Sequence, residues 1–215
     1  RAKDYPLEYI TKRASFYGES FNVQDGVLIP RPQTEILVQK AIEKLETISK
    51  PKVIEIGTGS GIISIMLALL IKNIEIVAVD INDKALKLAS SNAIKHNVDK
   101  KITFINSNLF ENININDKFD MCISNPPYIA NDYKLPKNVT YEPKNALFGG
   151  IKGDELLEKI VLQTSNRSIK YLYCEMGYDQ KKQLNKYIEQ FDINSLEFYK
   201  DFEKFDRGFT LEFKV

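Results

Sequence analysis

Short apolar runs recur along this chain with amphipathic segments between them, and the two periods alternate with little interruption. Lys52 to Ile56, Glu75 to Val79, Ile102 to Asn106, Phe119 to Ser124 and Lys170 to Met176 read as brief strands. Between and around them, residues 32 to 49 place Ile36, Leu37, Ala41, Leu45 and Ile48 on one helical face, with Pro32 suited to a first helical turn. Further helices are expected from about Ile62, from Asp83 to Asn97, from Gly153 to Asn166 and from Gln180 to Phe191. Arg13 to Tyr17 and Phe21 to Val27 predict a small hairpin near the start. At the other end, Ser195 to Lys200 and Gly208 to Val215 are two β-rich runs with no helix between them, hence an antiparallel pair. Five βα steps closed by a hairpin predict an α/β fold: a doubly wound, seven-stranded, mostly parallel sheet with one antiparallel strand, Rossmann-like, preceded by the small N-terminal β-hairpin. The expected organisation is an extension over residues 1–31 and a main domain over 32–215.

Ligands of such a sheet bind outside the carboxyl ends of its strands, and three of those ends carry candidate chemistry. The first strand runs into Gly57-Thr58-Gly59-Ser60-Gly61. That spacing is neither the Gly-x-Gly-x-x-Gly dinucleotide fingerprint nor a phosphate loop followed by Lys-Ser/Thr, so pyrophosphate binding is disfavoured. The second strand ends in Asp80, whose carboxylate can accept from both hydroxyls of a ribose at about 1.5 to 3 kcal/mol each. Together the two features suggest an adenosine site. As a helix N-cap, the ordinary alternative for Asp80, Asp83 is the better candidate. The strand Phe119 to Ser124 delivers Asn125-Pro126-Pro127-Tyr128. Here an amide carbonyl, a carbonyl whose direction the prolines fix and a flat aromatic wall could hold a planar, conjugated NH₂ group. Beside a methyl donor, the turn suits methylation of such a nitrogen. The long irregular stretch that follows, to about Lys152, is expected to form a substrate-facing lip.

Composition narrows the choice without deciding it. The chain has 215 residues and 43% hydrophobic content, enough for a sizeable core. Its 30 Lys and Arg balance 29 Asp and Glu, and no basic stripe announces nucleic acid. Cys122 and Cys174 lie in apolar strands without a second ligand at metal spacing, so reduced core packing is expected and no metal site. No apolar run approaches eighteen residues and no signal segment is visible, which leads to the expectation of a protein without membrane attachment, cytoplasmic or organellar, and monomeric. The single histidine, His96, falls near a helix C-terminus, where a catalytic role is not expected. Arg31 and Glu35 either pair with each other across one helical turn or line the donor pocket.

The chain resembles the HemK/PrmC family, the protein-(glutamine-N5) methyltransferases of peptide chain release factors. The resemblance rests on PLEYIT through VLIPRPQTEILV (residues 6–38), IEIGTGSG with AVDIN, and SNPPYIA followed by YEPKNALFGGIKGDE. It implies a class I S-adenosyl-L-methionine-dependent methyltransferase domain. It further implies transfer of a methyl group to the side-chain amide nitrogen of a glutamine in the Gly-Gly-Gln motif of a release factor, which tunes translation termination. Implied donor contacts are Gly57 to Gly61, Asp80, Asn108, Leu109 and Asn125. Asn125, Pro126 and Tyr128 would be catalytic, and Asn125 to Tyr128 with Glu142 and Pro143 would form the glutamine site. Two departures stand out: Gln33 replaces a usual Glu, and Asn108 replaces a usual acidic residue, so an adenine amino group would meet a neutral carbonyl there. Family members also carry an N-terminal helical domain with no counterpart before Pro6; the chain would be a catalytic portion or contact its substrate differently. Two other functions fit parts of the pattern, a nucleic-acid amino-methyltransferase using the same turn on an adenine or guanine amine, and a non-catalytic module on this fold.

Overall fold

A computed structural model describes residues 4–215. Helix α1 (Leu7–Thr11) leads into a hairpin, β1 (Arg13–Phe16) and β2 (Glu19–Asn22), followed by α2 (Thr34–Leu45). Then come β3 (Lys52–Ile56), α3 (Ile62–Leu70), β4 (Glu75–Asp80), α4 (Asp83–Lys95), β5 (Ile102–Asn106) and β6 (Met121–Ser124). A two-stranded parallel ribbon, β7 (Ile129–Ala130) with β8 (Phe148–Gly150), lies in the long stretch after β6. The chain closes with α5 (Glu155–Asn166), β9 (Tyr171–Glu175), α6 (Lys181–Ile188), β10 (Ile193–Lys200) and β11 (Asp206–Phe213).

The main sheet has seven strands in the order β10-β11-β9-β6-β3-β4-β5. Only β11 runs against the rest, pairing antiparallel with both β10 and β9. Strand order reverses direction at β3, where β4 and β5 extend one way and β6 and β9 the other; the crevice at that switch is where ligands of such sheets bind. Burial of β3 on both faces explains its mostly apolar run, interrupted by Glu55: Val53 joins the core beneath α2 and α3, and Ile54 and Ile56 join the core beneath α5 and α6. The hairpin shares the first of these cores through Phe16 and Phe21, both almost fully buried.

Several boundaries differ from the sequence pattern for local reasons. The second arm of the N-terminal hairpin is Glu19–Asn22 and not residues 21–27, because Tyr17 and Gly18, at φ 55° and 80°, close a two-residue turn. Residues 23–28 leave the ribbon, turn at Gly26 (φ 86°) and reach the sheet's carboxyl edge. The N-cap of α4 is Asn82, whose side chain accepts from the Lys84 amide at 3.0 Å; Asp83 instead accepts from Asn106 at 2.6 Å. α2 stops at Leu45 and begins at Thr34, with Pro32 accepting from the Glu35 amide in a tighter turn ahead of it. The short helix α1 carries too little periodic signal to be read from sequence.

Candidate active site

Two clefts open side by side at the switch point and share the turn after β6. The first is lined by Gly26, Val27 and Leu28, by Gly57 and Gly59, by Asp80 and Ile81, by Asn108 and Leu109, and by Asn125, Pro126, Pro127 and Pro143. The second is lined by Leu28, Arg31, Asn125 to Ile129, Tyr133, Leu135, Pro136, Val139, Ala146 and Leu147. Asn125, Pro126 and Pro127 border both.

The glycine loop shapes the first cleft with backbone alone. Gly57 and Gly59 hold φ of 74° and 56°, and a Cβ on either would project into open space with no atom within 4 Å, room that a bound molecule can occupy. Gly61 serves packing, since a Cβ there would come 3.0 Å from Ala89 and Ile65. Four of the five loop amides are already engaged: Gly57 and Thr58 donate to Val79, Gly61 to Thr58, and Gly59 to Asp80 at 2.9 Å. A phosphate cradle needs such amides unpaired, so the geometry agrees with the glycine spacing in disfavouring one. Thr58 turns its hydroxyl inward onto Glu55 at 2.8 Å, and the Ser60 carbonyl accepts from Asn92 at 2.9 Å. Asn92, fully buried on α4, also exchanges two hydrogen bonds with Asn22 and so ties hairpin and loop together.

Asp80 sits at the end of β4 with its carboxylate in the first cleft. Burial pushes its acidity weaker than usual, and the amides of Gly59 and Asn82, donating to its two oxygens, act against that. Each oxygen retains acceptor capacity for a further donor. The far wall is Leu109, held at φ 53° by a brace in which Ser107 Oγ donates to the Leu109 carbonyl at 2.9 Å and accepts from the Asn112 amide. A leucine in that conformation is uncommon and points to a positional demand. Asn108 donates its amide hydrogen to Glu111 at 2.8 Å, which turns the Oδ1 acceptor to the other side.

At the shared turn, Asn125 Nδ2 donates to Thr34 Oγ1 at 3.0 Å, so its carbonyl is the end presented outward. Thr34 in turn donates to Glu175 Oε2 at 2.7 Å, and the Tyr128 hydroxyl donates to Glu175 Oε1 at 2.9 Å. Burial pushes the pKa of the Tyr128 phenol well above its usual range, so it keeps its proton and remains a donor. Burial also pushes Glu175 up, opposed by these two hydroxyls and by the charges of Arg207 and Arg31. The Pro126 carbonyl makes no hydrogen bond among the described residues. β8 lies directly on the turn: a Cβ at Gly149 would come 2.4 Å from the Pro127 carbonyl, and one at Gly153 would come 2.5 Å from that of Tyr128.

Glu142 is almost completely buried and does not face the clefts. It accepts from the Ile29 amide at 3.0 Å and from Arg31 Nη2 at 2.5 Å, while Pro143 lines the first cleft. Arg31 therefore pairs with Glu142 and not with Glu35, which accepts from the Tyr17 amide at the hairpin turn; the two side chains lie on different sides of the start of α2. Arg31 lines the second cleft and a small recess beside the glycine loop. His96, at the C-cap of α4, packs on Phe21 far from both clefts, and Cys122 and Cys174 are buried in the sheet. Thr34, Glu175, Asn92 and Gln180, whose Nε2 donates to the Tyr128 carbonyl at 2.9 Å, carry no local sequence signal of a role at the site. Among the described residues no group of His, Cys, Asp or Glu is arranged for a metal ion, and no helix is long and apolar enough to cross a membrane.

Comparison with known proteins agrees with this architecture. Residues 32–146 match the family described as "Methyltransferase small domain". A release factor glutamine methyltransferase of Fusobacterium nucleatum is 39% identical over 95% of this chain, which spans 59% of that protein's length. Another, from Clostridium acetobutylicum, is 36% identical over 96% of the chain, spanning 75% of that protein. Among solved structures, the hMettl16 catalytic domain in complex with a 3′UTR hairpin superposes with a TM-score of 0.75 over 93% of this chain and 77% of its own, at 17% identity, a likeness of fold. With identities of this size along nearly its whole length, the chain belongs to the release factor glutamine methyltransferase family.

Proposed function

We infer that this chain transfers a methyl group from S-adenosyl-L-methionine to the side-chain amide nitrogen of a glutamine in a peptide chain release factor. The observation that carries the reading is the shared border: Asn125, Pro126 and Pro127 belong at once to a cleft suited to an adenosine and to a neighbouring cleft open to a substrate side chain. The donor would lie with its ribose hydroxyls on Asp80, its adenine between Ile81 and Leu109 with Asn108 Oδ1 as an acceptor, and its amino-acid end over Gly57 and Gly59. Open space above those glycines and the free acceptor capacity of Asp80 fit such a molecule. When bound, the donor supplies an electrophilic methyl carbon on a cationic sulfonium.

The protein's share of the work is to make an amide nitrogen a competent nucleophile. Its lone pair is delocalised into the carbonyl, and complete loss of that conjugation costs on the order of 18 to 20 kcal/mol. Two acceptors, Asn125 Oδ1 and the Pro126 carbonyl, would take the two hydrogens of the glutamine NH₂ group and favour a pyramidal nitrogen whose lone pair faces the first cleft. Tyr128, fixed through its hydroxyl, would hold the amide plane. Orientation in attack geometry can contribute roughly 7 to 11 kcal/mol. No side chain is required to remove the amide proton beforehand, because it becomes acidic only as the new bond forms.

The test is transfer of labelled methyl to release factor, tRNA, rRNA and DNA in parallel, with a glutamine-containing peptide as a minimal acceptor. Label on the glutamine amide of release factor or peptide is the expected result. Label confined to nucleic acid would overturn the reading, and failure to bind the donor at all would remove the enzyme assignment.

A further inference from the structure

The site contains a charged group that touches neither cleft. Glu175 stands at the carboxyl end of β9, 1% exposed, and its two oxygens accept from Thr34 and from Tyr128. Burying a carboxylate is costly unless its partners repay it. Arg207 offsets part of that cost through its charge but makes no ion pair with Glu175 within 4 Å, its guanidinium being held by Asp201 through Nε at 3.0 Å and Nη2 at 2.8 Å. Packing does not account for it either, since an apolar side chain would fill the same volume at the end of a buried strand.

We propose that Glu175, acting through the Thr34 hydroxyl, determines which end of the Asn125 amide faces the acceptor cleft, and that the same carboxylate fixes the Tyr128 wall. The proposal rests on the methyltransferase reading and deepens it.

The argument is one of hydrogen-bond direction. A carboxylate only accepts, so the single hydrogen of Thr34 must point at Glu175. Thr34 Oγ1 then has only lone pairs left, and the Asn125 group that can meet it is the NH₂. The amide is thereby set with nitrogen inward and carbonyl outward, which is the polarity needed to accept from a substrate NH₂. With an amide in place of the carboxylate the direction is no longer forced: the new group could donate to Thr34, Thr34 could donate to Asn125 Oδ1, and Asn125 would present a donor to a donor. Tyr128, on the other oxygen, is bound into the same arrangement, with the Arg207 guanidinium also beside its hydroxyl, so Glu175 contributes to both walls of the acceptor turn. Glu175 is in this sense a positioning residue, as is Thr34.

The experiment compares wild type with Glu175→Gln, Thr34→Val, Thr34→Ser and the double variant Glu175→Gln/Thr34→Val, all in the full chain. It measures initial rates on a glutamine peptide, donor affinity by calorimetry and thermal midpoints. Loss of one charge-assisted contact should lower kcat roughly 10- to 100-fold in Glu175→Gln and in Thr34→Val, with donor affinity within about twofold of wild type. Thr34→Ser should restore most of the rate, and the double variant should be no worse than the poorer single. The proposal falls if Glu175→Gln turns over as wild type does, if Thr34→Ser is as impaired as Thr34→Val, or if the double variant is additive. Should wild type methylate no glutamine, the functional reading fails by itself. The positioning claim is then decided by the side-chain amide resonances of Asn125, which should change in Thr34→Val and Glu175→Gln; unchanged resonances would refute it.

Discussion

The two halves of the site are built from different materials. The half proposed for the donor is local: one loop of five residues, one carboxylate 19 positions after the last of them and one strained leucine, most of it backbone. The acceptor half is a relay of side chains whose members are 91 and 141 residues apart in the chain, Asn125 to Thr34 and Thr34 to Glu175. A backbone-built half should tolerate side-chain change outside its few polar contacts. A relay should fail as a unit when any member is altered.

Substitutions can break this division or sharpen it. Asn125→Ala removes the acceptor that would align the nitrogen, and turnover should fall by at least about 100-fold with donor affinity retained; kcat and a donor titration measured together check it, and a rate near wild type would end that role for Asn125. Gly149→Ala comes next. Its new Cβ would press on the Pro127 and Gly153 carbonyls at 2.4 and 2.5 Å, so we expect a loss of about 1 to 3 kcal/mol in unfolding free energy and a lowered kcat, read by denaturant titration and initial rates. Asp80→Ala should leave kcat at saturating donor close to wild type while weakening donor binding at least about 10-fold, with about 1.5 to 3 kcal/mol lost for each ribose contact removed; calorimetry measures it. If Asp80→Ala lowered kcat and Asn125→Ala weakened the donor, the halves would not be separable.

The smallest expected effect concerns the support of the donor half. Glu55 on β3 is buried beneath the glycine loop, accepting from Thr58 and Ser64 through Oε2 while Oε1 has no partner, and burial pushes its carboxyl up to about 7. Unfolded, the same group ionises near 4.5. Between those values the folded chain holds a proton that the unfolded chain has released, so raising the pH favours unfolding and the contribution is gone above about 7. The thermal midpoint of wild type relative to Glu55→Gln should therefore fall by roughly a few degrees between pH 5 and pH 8. A difference independent of pH would mean that Glu55 ionises normally.

The same contrast explains what could be read from the sequence. β3, its glycine loop and the aspartate ending β4 are each recognisable within a dozen residues, because period, φ demand and charge placement are all local there. The turn at Asn125 was visible for the same reason. Thr34 and Glu175 were not, since a threonine opening a helix and a glutamate closing a strand have ordinary local explanations, and only the fold brings them to 2.7 Å. Nor could the pairing of Arg31 with Glu142 be seen across 111 residues, although helix spacing offered Glu35 as a nearer partner. Asn92 was equally hidden: a polar residue inside an amphipathic helix shows its purpose only when Asn22 and the Ser60 carbonyl arrive.

One consequence of the glycine loop concerns molecules that imitate the donor. Adenine nucleotides share its adenosine half and differ in the tail, which is anionic polyphosphate where the donor carries an amino acid. At this loop that tail would find the amides of Gly57, Thr58, Gly59 and Gly61 committed to Val79, Thr58 and Asp80, with the Asp80 carboxylate nearby. Rejection of ATP would then be a property of the chain's own main-chain bonding and require no gate, and a large excess of ATP should leave bound donor undisplaced in a competition titration.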